Sequence, residues 1–284
     1  MEWISNKKIL IVGLGLMGGS YAKKLKRIGF KVGAISRRQK TIDYAIEHGI
    51  IDKGYTEVNK EFVGQADAVI FGLYPEKFVE WIKEYGSCLK KGCMITDVTG
   101  VKAPIVYKIQ ELLPEGIEFI AAHPMCGKEV YGVENADDSM FNEANYIVTP
   151  TVNNSEAAIE WCKNLGRILG CRSIAVLSPK DHDMMIAFTS QLTHCIAVSL
   201  MNSNDDVNLS KYTGDSFRDL TRIARINEDM WSELFLMNKD ALLNQMNIFE
   251  EKFDELKKSI ENNETEKIKE IMRVSTERRS WFDK

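Results

Sequence analysis

The sequence predicts a doubly wound α/β domain built on a parallel sheet, followed by an all-α domain. Three observations carry this reading. Short apolar runs alternate with stretches of helical spacing through the first half of the 284 residues, the pattern of buried strands joined by helices. A glycine-rich turn, Gly13-Leu14-Gly15-Leu16-Met17-Gly18, falls between the first such run and the first helical stretch. After Ser178-Pro179 strand signals cease and only the helical period remains.

The elements follow in order. Lys8-Ile9-Leu10-Ile11-Val12 reads as the first strand, and residues 17–28 as a helix that stops at Gly29. Lys31-Val32-Gly33-Ala34-Ile35, residues 66–73 and Cys93-Met94-Ile95-Thr96-Asp97 are further strands. Phe119-Ile120-Ala121-Ala122-His123 and Tyr146-Ile147-Val148-Thr149-Pro150 continue the series, and all are expected in one parallel sheet. Beyond a boundary near 178, residues 180–203 carry Met184, Met185, Phe188, Leu192, Ile196 and Leu200 at helical spacing. Residues 229–260 repeat that period, and 264–281 read as a last helix rich in Glu, Lys and Arg. The domains are therefore expected at 1–178 and 179–284. The apolar stripe of 229–260 is broad, and a broad stripe on a long helix usually meets more than one neighbour. A homodimer joined through the helical domains is expected.

Net charge is −4 and the isoelectric point about 5.7. That balance argues against nucleic acid or an anionic membrane as partner, since both select basic patches. No apolar run is read as reaching the roughly 18 residues that span a bilayer. Residues 1–8 lack the charged-then-apolar order of a secretion signal, so a cytoplasmic location is expected. Six cysteines stand at 88, 93, 126, 162, 171 and 195 without a CxxC pair. They are read as free thiols, with no metal site.

The glycine turn carries the first chemistry. Following a strand and opening a helix, it has the context that turns a weak G-x-G-x-x-G match into a strong one for a Rossmann-type dinucleotide site. Gly13 permits the tight turn, Gly15 lets a pyrophosphate approach the backbone, and Gly18 lets helix and strand pack closely. Leu16 and Met17 open the helix, whose free N–H groups suit phosphate. An NAD site is expected to carry an acid about 20 residues on, for the ribose 2′-hydroxyl. Here the second strand ends in Ser36-Arg37-Arg38, and the first acid is Asp43. Two guanidiniums and a hydroxyl suit a 2′-phosphate, so NADP is favoured and NAD stays open. Leu73 and Tyr74 end a central strand where the nicotinamide ribose is expected.

His123-Pro124-Met125-Cys126-Gly127 ends an apolar strand at the same edge. A histidine there titrates near working pH and suits a general base. This segment, with Glu129 and Gly132, resembles the active-site motif of prephenate and arogenate dehydrogenases. So does Asp97-Val98-Thr99-Gly100-Val101-Lys102, which is similar to the family's Asp-x-x-Ser-x-Lys strand end. His182-Asp183 with Ser190-Gln191-Leu192-Thr193-His194 resembles its HD…SHLPH helix. Phe217-Arg218-Asp219-Leu220-Thr221-Arg222-Ile223-Ala224, then Met230-Trp231, resembles its F-(K/R)-D-x-T-R-I-A segment. The resemblance runs from residue 8 to about 250.

It implies a nicotinamide-dependent oxidative decarboxylation of a cyclohexadienyl acid, leading to the tyrosine skeleton. His123 is implied as the group that takes the ring hydroxyl's proton. Arg222 is implied at a substrate carboxylate, with Arg218 near the side-chain carboxylate and His194, Gln191 and Ser190 as further substrate contacts. Asp183 is implied to pair with an active-site Arg, and Trp231 to reach the partner subunit's pocket. Bidentate guanidiniums suit a substrate with two carboxylates, and Arg218 and Arg222 share a face if their segment is helical. Asp183 and His194, eleven residues apart, are expected on one face of a regular helix. His182 is read as a capping or supporting residue.

Three positions depart from the family pattern. Gln191 and Thr193 replace the first His and the Pro of SHLPH. Gly100 stands where the family has Ser, with Thr99 bringing a hydroxyl one residue earlier, next to both substrate and cofactor. Lys128 follows Gly127, where a small or hydroxyl residue is more usual. Prephenate and arogenate therefore both remain open as substrate. Two other functions fit the same fold: a β-hydroxy acid or imine dehydrogenase, which commonly uses a Lys base, and a dinucleotide sensor without turnover.

Overall fold

The computed structural model describes Trp3 and residues 7–282. The N-terminal part is built on a six-stranded parallel sheet. Its strands are β1 (Lys8–Val12), β2 (Lys31–Ile35), β3 (Lys53–Tyr55), β4 (Ala68–Phe71), β5 (Met94–Asp97) and β6 (Glu118–Phe119). Their spatial order is β3-β2-β1-β4-β5-β6. The order reverses between β1 and β4, the point at which such sheets open a ligand crevice at their carboxyl ends. Helices α1 (Leu16–Arg27), α2 (Gln39–Glu47), α3 (Lys60–Val63), α4 (Pro75–Tyr85) and α5 (Ala103–Leu112) make the crossovers.

Side-chain alternation along β1 explains the two layers of helix. Ile9 and Ile11 enter one core with Tyr21, Leu25 and Trp161. Leu10 and Val12 enter the other with Phe71, Phe78 and Ile105. Both faces of the sheet are thus covered, as a parallel sheet requires.

The expectation that residues 119–123 and 146–150 extend this sheet is corrected. The chain leaves it at Ile120, and β7 (Ala121–Pro124) pairs antiparallel with β8 (Asn145–Thr149). After α6 (Glu156–Leu169), β9 (Ser173–Val176) pairs parallel with β8. The carboxylate of Asp97 is the physical reason for the break. Its Oδ1 accepts from Ala122 N at 3.1 Å, so β7 leaves β5 with its N–H satisfied by a side chain instead of a neighbouring strand.

The helical part begins with α7 (Pro179–Ile186), runs through one π-helical stretch (Ala187–Leu192) and continues as α8 (Thr193–Asn202). Ser178 caps it, accepting from Asp181 N. Against the expectation that no run is long and apolar enough to span a bilayer, the helix Pro179–Asn202 contains an 18-residue window of mean hydropathy 1.4 that meets that test by length and composition alone. In this chain it packs on α5 and α11. Then come α9 (Asp215–Thr221), α10 (Glu228–Met237), α11 (Lys239–Glu261) and α12 (Thr265–Ser280). The run expected over 229–260 is broken at Asn238, whose side chain is turned inward and buried. On the outside, Met246, Phe249, Phe253 and Ile260 of α11 and Phe188 of the π stretch stay exposed in the single chain.

Candidate active site

The glycine turn shows why each glycine is needed. Gly13 has φ +95°, and a Cβ there would sit 2.5 Å from Gly72 O. A Cβ on Gly18 would lie 2.0 Å from Gly13 O. Gly15 has nothing within 4 Å of its Cβ position, so the turn leaves an open cradle at that residue. Gly15 is also the N-cap of α1, with no side-chain cap and no acid in the first turn. The N–H groups of Leu16, Met17 and Gly18 therefore lack intrahelical partners, and the cradle fits a dinucleotide pyrophosphate. Ser36 follows β2 and is held by its N–H to Tyr55 O at 3.1 Å. Arg37 and Arg38 are exposed beside it.

On the other side of the crevice, Leu73 packs at the Gly13 turn, and Tyr74 caps α4. The helical domain closes over this edge. Glu233 of α10 accepts from Glu76 N at 2.8 Å, and Asn227 Nδ2 reaches Tyr74 Oη at 3.5 Å.

His123 stands on β7, displaced from the parallel sheet towards α7. Its Nδ1 lies 2.9 Å from His182 Nε2, and His182 Nδ1 lies 2.7 Å from Asp183 Oδ1. Asp183 in turn caps α5: Oδ1 accepts from Lys102 N and Oδ2 from Ala103 N, both at 2.8 Å. Beneath β7, the fully buried Lys102 donates Nζ to Asp97 Oδ2 at 2.7 Å, Ala122 O at 2.6 Å and Thr99 Oγ1 at 3.3 Å. His123 keeps part of its surface open to the cleft while protein encloses the rest. Burial, then His182 and the Lys102 ammonium, hold its pKa well below the ordinary histidine value. It is neutral at physiological pH, the form a base requires.

A second cluster lies in the helical domain. His194 packs on Trp231 with ring centroids 3.7 Å apart. Its Nδ1 donates to Ser190 O at 2.9 Å, since a carbonyl only accepts. Burial lowers its pKa, and Glu129 and Arg222 both act on it electrostatically. Arg222 ends α9 and is ion-paired to Glu129 from the segment after β7. Arg218 is exposed and pairs with Asp215 of its own helix.

Several sequence expectations are corrected. Among the described residues Asp183 pairs with no arginine; its carboxylate is taken by two backbone N–H groups and His182. The wider π stretch between Asp183 and His194 unwinds the helix, so the two residues serve different partners instead of one face. Gln191 is buried, donating to Leu234 O at 2.9 Å and accepting from Asn238 Nδ2 at 2.7 Å. Its amide joins α10, α11 and the π stretch. Thr99 is buried and hydrogen-bonded to Asp97 and to Val101 O, so its hydroxyl is turned inward.

Sequence reasoning gave no role to Lys102, Asn238 or Glu233. Lys102 five residues after Asp97 was a readable signal, because a lysine near the end of an apolar strand either snorkels or finds a buried acid. Asn238 and Glu233 act across long sequence separations, and no local pattern marks them.

A parallel sheet with its glycine turn, closed at the carboxyl edge by a helical domain, defines a two-domain nicotinamide-dependent dehydrogenase. Comparison with known proteins sharpens this. Residues 21–175 match the nucleotide-binding domain of prephenate dehydrogenase, and residues 178–274 its dimerization domain. Prephenate dehydrogenase of Bacillus subtilis is 30% identical over 92% of this chain and 72% of its own length. Cyclohexadienyl dehydrogenase of Zymomonas mobilis is 27% identical over 96% and 95%. The structure of prephenate dehydrogenase from Aquifex aeolicus, in complex with hydroxyphenyl propionate and NAD+, superimposes with a TM-score of 0.90 at 30% identity, covering 99% of this chain and 100% of that one. The chain belongs to the prephenate dehydrogenase family.

Proposed function

We propose that this chain converts prephenate to 4-hydroxyphenylpyruvate and carbon dioxide, with NADP+ as the favoured oxidant, in the cytoplasm. The supporting observation is His123. It is a neutral imidazole at the end of β7 with one nitrogen tied back to His182, and Glu129, six residues further along the same segment, is ion-paired to Arg222 of the helical domain. On this reading residues 1–178 bind the dinucleotide and 179–284 bind substrate and dimerise, through the apolar face left open on α11.

His123 Nε2 takes the hydrogen bond of the ring hydroxyl and draws on its proton. Arg222, on release from Glu129, binds a carboxylate of the substrate bidentately. His194 and Trp231 wall the ring, and Arg218 and Ser190 stand by for the side chain. The dinucleotide, when bound, supplies the hydride acceptor. The ring carboxylate leaves as carbon dioxide, and its bonding pair completes the aromatic ring as hydride departs from the hydroxyl-bearing carbon. The phenol recovers the proton lent to His123, so the ring reaction releases none. Arogenate is the second reading: Glu129 beside Arg222 supplies an anion that its ammonium group would pair with.

The test is a reduced-cofactor absorbance assay with each acid and each dinucleotide. Turnover lost in His123→Asn supports the assignment; absence of turnover in all four mixtures overturns it. Replacing Arg37 and Arg38 by Ala is expected to raise KM for NADP+ about 10–100-fold, the worth of one charge-assisted contact, and to leave NAD+ unchanged. NAD+ preferred by the parent chain would remove the NADP assignment.

A further inference from the structure

The bonds around His123 determine which of its nitrogens carries the proton. Asp183 Oδ1 only accepts, so His182 must hold its proton on Nδ1 at that 2.7 Å contact. The neutral His182 ring then offers Nε2 as an acceptor. His123 must donate to it from Nδ1 across 2.9 Å, which leaves His123 Nε2 as the bare lone pair. Asp183 cannot turn away from this task. Its two oxygens are pinned at the N-terminus of α5 by Lys102 N and Ala103 N, and its backbone carbonyl accepts from Asn238 Nδ2 at 2.8 Å. The β5 end offers the ring no other support: Gly100 has no side chain, and Thr99 is spent on Asp97 and Val101.

We infer that His182 is a positioning residue and proton relay for His123, with Asp183 as its anchor. This rests on the reading of His123 as base. When the ring hydroxyl lends its proton to His123 Nε2, the proton on His123 Nδ1 passes to His182 Nε2. The O–H bond breaks and Nε2–H forms; Nδ1–H breaks and the His182 N–H forms. The positive charge then rests on His182, in contact with the Asp183 carboxylate, instead of on His123 above the Lys102 ammonium. The transfers reverse as the phenolic oxygen recovers its proton. The charged and titratable groups packed around His123 are Lys102 and Asp97 from the β5 side and His182 and Asp183 from α7. Lys102 disfavours charge on both rings, and only His182 has the Asp183 hydrogen bond to favour it.

The experiment compares His182→Gln and His182→Leu with the parent enzyme, each checked for its thermal midpoint. Gln keeps an acceptor for His123 Nδ1–H but takes no proton; Leu keeps neither. Expected are a kcat loss of about 10-fold for Gln, which keeps the acceptor, and about 100-fold or more for Leu, the lower end of a general-base contribution, with KM changed less than about threefold. The acid limb of kcat/KM is expected to move to higher pH in Leu, because His182 no longer holds the His123 pKa down; a merely structural role would leave that limb in place. Nitrogen-15 histidine spectra of the parent protein should show His123 protonated on Nδ1. His182→Leu with parental kcat and an unmoved limb, or His123 protonated on Nε2, overturns the relay. If the Leu variant does not fold, the Gln variant and the parent spectra decide. His123→Asn is run alongside: retained activity there defeats the base reading itself, whereas its loss with both His182 variants at parental rates defeats only the relay.

Discussion

Lys102→Met removes a cation that is fully enclosed and makes three contacts, to Asp97, Ala122 O and Thr99. The methionine fills much the same volume, so the loss is electrostatic. Asp97, also fully buried, keeps its bonds from Thr99 N at 3.0 Å and Ala122 N at 3.1 Å but has no counter-charge left. Breaking a buried pair by deleting one partner costs about 3–5 kcal/mol. At about 2–4 °C per kcal/mol for a chain of this order of size, the midpoint should fall by roughly 6–20 °C. The assay is thermal and urea unfolding at fixed protein concentration, since a dimer's stability depends on it. Adding Asp97→Asn should recover at least half of the loss, because a neutral amide needs no cation. In any folded Lys102→Met protein the acid limb of activity should move to higher pH, the ammonium no longer disfavouring charge on His123. A loss below about 1 kcal/mol would show that Asp97 does not depend on Lys102, and the account of how β7 is held off the parallel sheet would fail.

The parts of the fold legible in the sequence are those governed by local pattern. β1, β2 and β4 are largely apolar runs because a strand buried on both faces tolerates little else, and the glycine turn is readable because Gly13 and Gly18 each exclude a Cβ. The break at Ile120 was not readable. Residues 119–122 are apolar whether they continue one sheet or cross to another, and the deciding group, Asp97, lies over twenty residues upstream. β9 leaves no local signal because its residues are mostly exposed and lack an apolar run. The site divides in the same way. His123, His194 and Arg222 stood out by type and motif. The roles of Gln191 and Thr99 were misjudged because spacing gives the position of an amide or hydroxyl but not which partner claims it. His182 shows the converse: its place beside Asp183 marked it as supporting, yet only the fold brings it to His123, 59 residues away in sequence.

Gly15→Ala should leave the apo protein's stability unchanged, the added methyl meeting nothing within 4 Å, while weakening dinucleotide binding at least about tenfold by filling the cradle; equilibrium titration of fluorescence reads it. Gly18→Ala places a Cβ 2.0 Å from Gly13 O and should instead destabilise the apo fold, by about 1–3 kcal/mol as overpacking does. Asn238→Ala deprives Asp183 O and Gln191 Oε1 of their donor and should cost about 1–3 kcal/mol in urea unfolding. The dependence of stability on pH follows from the histidines. His123 and His182 both have folded pKa values below the ordinary 6.5, through burial first. The unfolded chain therefore binds more protons just below pH 6.5, and stability must fall on acidification through that point. Each ring that stays neutral costs about 1 kcal/mol between pH 6.5 and 5.5, the slope approaching about 1.4 kcal/mol per pH unit further into acid. Carboxylates such as Asp52 and Asp67, whose pKa values are lowered from 3.8, lose their contribution only further into acid, so the window from pH 6.5 to 5.5 reports the histidines. Urea unfolding across that window, at constant protein concentration, should show a decline that His123→Asn reduces. A flat profile in the parent protein would mean that the rings protonate freely through the cleft, and the neutral, enclosed base required by the mechanism would be wrong.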